Sequence, residues 1–145
     1  MQILNRRARH DYQLFESCEA GIALKGSEVK SIKQGRGDLA ASFVRMKENE
    51  AWLIGANIPL YGTAPAALYD PLRERKLLLH KEQLISLNTK SKQQKLTLVP
   101  LSLYTKGNLI KIRVALGRGK KQYEKREAKR KKDTQRDIER SLKEI

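Results

Sequence analysis

Residues 95–116, KLTLVPLSLYTKGNLIKIRVAL, read as two strands joined by a turn at Lys106-Gly107-Asn108. In the second arm Ile110, Ile112, Val114 and Leu116 alternate with Leu109, Lys111, Arg113 and Ala115. That period of two is the mark of a half-buried strand, one face in the core and the other carrying two cations. Pro100 has no N–H to give to a ladder, so the first arm is predicted to be an edge strand or to bulge there.

The text on either side extends the pattern. Residues 11–24, DYQLFESCEAGIAL, are strand-like, and Gly21 predicts a bulge or bend within a long strand. Gly26-Ser27 offers a helix start, with Glu28 in the first turn, Val29 and Ile32 three apart, Lys33 near the end and Gly35 to close it. SFVRMK, ENE and AWLIGA then form a hairpin with an acidic turn. Residues 57–71, NIPLYGTAPAALYDP, hold three of the four prolines and read as loop. In RERKLLLH the triplet Leu77–Leu79 is expected in the core, with the cations exposed at the strand entry. KEQLISLNTKS predicts a short amphipathic helix with Leu84, Ile85 and Leu87 inward. Five to seven strands, two or three short helices and no βαβ rhythm predict a mainly β fold. A small antiparallel barrel is the economical form, because closure removes the edges.

Charge dominates the composition. The 145 residues hold 31 Lys and Arg against 16 Asp and Glu, a net charge of +15. Self-repulsion at that charge opposes compaction, and a polyanionic partner is the natural reason to tolerate it. The start MQILNRRARHDY has no apolar run of the secretory kind, and no stretch approaches the ~18 apolar residues of a membrane span. Cys18 is the sole cysteine, which excludes an internal disulfide and fits a reducing compartment; its neighbours Glu16 and Glu19 raise a thiol pKa. A cytoplasmic protein is expected.

Chemistry-bearing motifs are scarce. His10 and His80, the only histidines, each lie beside lysine or arginine rather than in a pairing with both an acid and a nucleophile. No Cys/His pair has metal-ligand spacing, and Gly117-Arg118-Gly119 lacks the context of a phosphate-binding loop. No enzyme activity and no cofactor are expected. Three basic regions remain: NRRARHDY with Arg6, Arg7 and Arg9, RERK with Arg73, Arg75 and Lys76, and the tail from Gly117. Rings at His10 and Tyr12 among the arginines favour structured RNA over duplex DNA, since rings stack on unpaired bases. The tail GRGKKQYEKREAKRKKD has too little apolar surface to order itself, so its role lies outside this molecule. The chain therefore divides into a body, 1–116, and a basic tail, 117–145.

NRRARHDY, EAGIALKGSEVKSIKQG, RKLLLH and GRGKKQYEKRE together, in this order and spacing, closely resemble the signature segments of the small protein B (SmpB) family of bacterial trans-translation. The resemblance runs from about Asn5 to the C-terminus and is weakest over 57–70. It implies an oligonucleotide-binding-type β-barrel with flanking helices. It implies binding to the tRNA-like domain of transfer-messenger RNA, and delivery of that RNA with elongation factor Tu to stalled ribosomes, without bond chemistry. Tyr12, Glu19, Leu78 and His80 match positions linked to RNA binding, with His80 standing where other members have asparagine. His10 matches a position on the decoding side. Gly119, Lys120, Lys121, Tyr123, Lys125 and Arg126 fall in the segment that enters the decoding centre and the empty mRNA channel. Residues 123–145 as a helix would reach ~35 Å at 1.5 Å per residue, with Glu127–Lys131 and Glu139–Lys143 as favourable pairs. Such a tail is expected to be disordered when free and helical against ribosomal phosphates. The competing expectation is a structural ribosomal protein with a basic extension.

Overall fold

The hairpin of 95–116 is the spine of the fold: β6 (Thr97–Lys106) and β7 (Leu109–Gly119) pair from Lys106↔Leu109 to Thr97↔Gly117. Gly107 turns the chain at φ 62°, which a residue without Cβ adopts at little cost. The computed structural model describes residues 2–62 and 68–120, with 130, 132, 133, 135 and 136 of the tail.

Around this spine lie β1 (Gln2–Leu4), α1 (Arg6–Asp11), β2 (Tyr12–Ile22), α2 (Gly26–Lys33), β3 (Phe43–Lys47), β4 (Glu50–Ile54), β5 (Arg75–Leu78) and α3 (Lys81–Gln93). All strand pairs are antiparallel, in the order β1-β6-β3-β4-β5-β2-β7, and the β6–β7 pairing closes the sheet on itself. The small antiparallel barrel expected from the alternation is what forms.

Pro100 marks the predicted bulge. The β6–β7 register shifts between Pro100 and Ser102, and β6 is no edge strand. One side of β6 serves β7; the other serves β3 at Leu98 and β1 at Leu103. The bulge lets one strand bend between two partners. It also frees two carbonyls, which Asn5 takes up: its backbone N–H donates to Leu101 O at 2.8 Å and its Nδ2 to Pro100 O at 2.8 Å. The Asn5 side chain also accepts from Ala8 N at 3.3 Å, capping α1.

The core is built from Leu53, Leu77, Leu103 and Ile112 of the barrel, with Ile32 of α2, Leu39 of the α2–β3 connection and Leu87 of α3 packed in. Four expectations change. Gly21 makes no bulge; β2 bulges between Leu14 and Ser17. What Gly21 supplies is clearance, since a Cβ there would stand 3.1 Å from Leu78 Cβ. Ile85 is exposed on α3, because Leu84 and Leu87 already meet the barrel and Ile85 falls round the helix from both. Ala115 has the outward parity of Lys111 and Arg113, yet it is fully buried. It pairs with Ser17 at the end of the β2 bulge and with Val99, next to Pro100 where the β6 bulge begins. Finally, β7 runs three residues beyond Leu116, as Gly117, Arg118 and Gly119 pair with Leu14, Gln13 and Tyr12. In the tail, positions 130, 132, 133, 135 and 136 have helical backbone.

Candidate nucleic-acid interface

One end of the barrel gathers several of the anticipated residues. There α1 stops, β2 starts and β7 finishes, so NRRARHDY and the root of the tail become neighbours. Lys120 N donates to Asp11 O at 2.8 Å, and Lys120 Nζ donates to Arg9 O at 3.1 Å. The last carbonyls of a helix have no intrahelical partner, and a lysine is well placed to take one. His10 Nδ1 lies 2.9 Å from Asp11 Oδ1. His10, Gly119 and Lys120, assigned by resemblance to the ribosomal side, are thereby brought together. Lys121, Tyr123, Lys125 and Arg126 lie outside the described residues.

The arginines of α1 divide between two flanks. Arg6 and Arg9 line a cleft of about 630 Å³ with Tyr104 and Arg113. Arg7 lines a separate depression with Tyr12, Ser42 and Phe43. The sequence marked this segment as basic without assigning it an element, and it is a helix. The available signal was Asn5 as an N-cap, followed by residues that tolerate a helix interior.

Glu19 sits on the outer face of β2 opposite Arg113. Tyr104 Oη donates to Glu19 Oε2, and Lys106 Nζ lies 3.2 Å from Oε1. The Tyr104 hydrogen bond, followed by that of Lys106, holds the Glu19 carboxyl below the usual carboxylate range. The Tyr104 phenol moves the other way, raised first by burial and then by Glu19. Glu19 is thus held by a phenol hydroxyl first and a lysine second.

RERKLLLH departs from expectation at two positions, Arg75 and Leu78, while Leu77 and Leu79 pack in or against the core. Arg75 is completely buried, so it does not reach RNA phosphate as expected. Its Nε donates to Glu28 Oε2 at 2.8 Å, its Nη1 to Ala56 O at 2.8 Å and its Nη2 to Pro71 O at 3.1 Å. Glu28, equally buried, also accepts from Lys25 N at 2.8 Å and from Arg73. Burial pushes the Glu28 carboxyl up, but the Lys25 N–H and the two arginines outweigh it and the net shift is downward. The physical reason is parity: Arg75 and Leu77 point into the barrel, so Lys76 and Leu78 point out. Lys76 Nζ pairs with Glu50 Oε1 at 3.0 Å near the surface. Leu78, expected to be buried, is 54% exposed. It shares the outer face with Glu19, because it packs against Gly21, two residues further along β2. His80, exposed, precedes α3 and donates its N–H to Gln83 Oε1 at 3.3 Å.

Cys18 is half-buried, and its thiol is raised first by burial and then by Glu16. Among the described residues no group of three or more His, Cys, Asp or Glu could hold a metal ion. No helix among them is long and apolar enough to cross a membrane.

Fold and charge together define a class, the small basic antiparallel β-barrel that presents arginine and lysine to a polyanion. The family description "SmpB protein" matches residues 2–144. An SsrA-binding protein of Carboxydothermus hydrogenoformans is 49% identical over 138 residues, which cover 95% of this chain and 93% of that protein. An SsrA-binding protein of Sulfurihydrogenibium sp. is 48% identical over 139 residues, covering 96% and 91%. A solved structure described as "tmRNA-SmpB: a journey to the center of the bacterial ribosome" holds a chain 48% identical to this one. The two superpose with a TM-score of 0.70 over 83% of this chain and 85% of that one. The chain belongs to the SmpB family.

Proposed function

We propose that this protein binds transfer-messenger RNA and brings it to stalled ribosomes for trans-translation, acting as an adaptor that makes and breaks no bonds. The observation that carries the reading is a family match along nearly the whole chain, 2–144. The barrel face bearing Glu19, Leu78 and His80, with the arginines of α1, holds the tRNA-like domain. The end bearing His10, Gly119 and Lys120 faces the small-subunit decoding centre. From there the tail, with Lys121, Tyr123, Lys125 and Arg126, enters an mRNA channel that must be empty to admit it. Selection of stalled ribosomes is then steric and electrostatic, and independent of message sequence. Elongation factor Tu accompanies delivery, and the setting is the cytoplasm.

The test is capture of RNA by the tagged protein from a bacterial lysate at ~0.3 M salt, where purely phosphate-driven binding has fallen by orders of magnitude. One enriched RNA with tRNA-like ends and an internal reading frame is expected. Recovery of ribosomal RNA alone would transfer the protein to the structural ribosomal class.

A further inference from the structure

Beside the two bulges the barrel carries two side chains, Phe15 and Arg118, that the RNA-binding positions above do not include. β2 bulges between Leu14 and Ser17, β6 bulges between Pro100 and Ser102, and both flank Ala115 of β7. Bulges bend a strand and re-aim its side chains, and they concentrate beside binding sites. Beside them lies a shallow groove of about 440 Å³, whose lining includes Tyr12, Leu14, Phe15 and Leu101 together with the cations Arg9 and Lys120. Phe15 is 45% exposed at the rim. The Arg118 guanidinium stands 5.7 Å from the centre of its ring.

An exposed phenylalanine costs solubility unless it is covered in use. The side chains around this one say by what. Arg9, Arg118 and Lys120 exclude a cationic or strongly apolar partner and attract phosphate. A ring joined to a guanidinium plane is the surface on which an unpaired base stacks, and it tolerates any base because every base has a π-face. We infer that Phe15 and Arg118 form a stacking platform for one unpaired RNA nucleotide, whose phosphate is met by Arg9 and Lys120. Because Lys120 is also bonded to the end of α1, an occupied groove sits directly at the root of the tail. The inference rests on the RNA-binding reading above and assigns it a contact of its own. The nucleotide can come from transfer-messenger RNA or from ribosomal RNA, and the chemistry is the same in both.

The experiment measures affinity of the full chain for two probes, transfer-messenger RNA and vacant 70S ribosomes, at several salt concentrations. Phe15→Ala is expected to weaken one of the two by about tenfold, the scale of losing one base–aromatic stack. Phe15→Trp should restore it, and the slope of log affinity against log salt should not change. Lys120→Ala should instead reduce that slope by about one. The probe that responds identifies the source of the nucleotide. Thermal unfolding of each variant confirms that the exposed substitution leaves the barrel intact. If Phe15→Ala binds both probes as the unaltered chain does, there is no platform. If the unaltered chain binds neither, the RNA-binding reading itself fails, and that result is distinct.

Discussion

Glu28 and Arg75, 47 residues apart, form an ion pair in which neither side chain has any exposed surface. Every buried polar side-chain atom among the described residues has a hydrogen-bond partner, and this pair accounts for several of them. Through it α2 is fixed to β5, to Ala56 two residues beyond β4, and to Pro71 in the loop. Removing one member strands the other in the interior. Glu28→Ala or Arg75→Ala should therefore destabilise the barrel by about 3–5 kcal/mol, read from urea unfolding. Replacing both, Glu28→Leu with Arg75→Met, should recover most of that loss. Arg73, partly exposed, can then turn to solvent. A double variant as unstable as the worse single one would show that specific hydrogen bonds, and not charge balance, hold this corner.

Tyr104 sets the ionisation of Glu19. In Tyr104→Phe the donated hydrogen bond is gone, Lys106 remains, and the Glu19 pKa should move up toward its ordinary 4.5. A depressed folded-state pKa contributes stability above the unfolded value and loses it as pH falls through the folded one. The difference in Tm between the two proteins should thus be greatest near neutrality and shrink below pH ~4 as the carboxyl takes up its proton. Carbon-13 NMR of the Glu19 carboxyl gives the pKa directly; an unchanged value would mean that Lys106 alone controls it.

Adjacent leucines should behave oppositely. Leu77 is buried against the core and Leu78 is exposed beside Glu19. Leu77→Ala should cost about 2–5 kcal/mol of stability. Leu78→Ala should stay within ~0.5 kcal/mol of the unaltered protein and weaken capture of transfer-messenger RNA. If Leu78→Ala leaves RNA capture intact, the RNA-facing surface does not extend to β5.

The tail should separate from the barrel at Lys120 and not at Leu116. A chain ending at Lys120 keeps the Tyr12↔Gly119 pairing and both Lys120 bonds to α1. Its Tm should lie within ~2 °C of the full protein, whereas a chain ending at Leu116 should lose several degrees. In the full chain, Lys125→Ala with Arg126→Ala should spare RNA capture and abolish peptide tagging. Loss of capture in that variant would refute the division of labour between barrel and tail.

The amino-acid sequence alone determined what depends on near neighbours. The period of two in β7, the break at Pro100 and the first-turn Glu28 of α2 are all local, and each predicted its element. The family signature rests on the same short runs. Tertiary structure alone decided matters of parity and closure. Whether Arg75 or Lys76 points inward depends on the register of β5 between β2 and β4, and a shift of one residue would exchange them. The same register exposes Leu78 and makes a core anchor of a cation expected at the surface. Ala115 is buried between two strands distant in sequence, paired with Ser17 of β2 and Val99 of β6, and Phe15 joins Arg118 only because β2 pairs with β7. Each of these contacts follows from barrel closure, which brings together residues 47 to 111 positions apart that no local pattern relates.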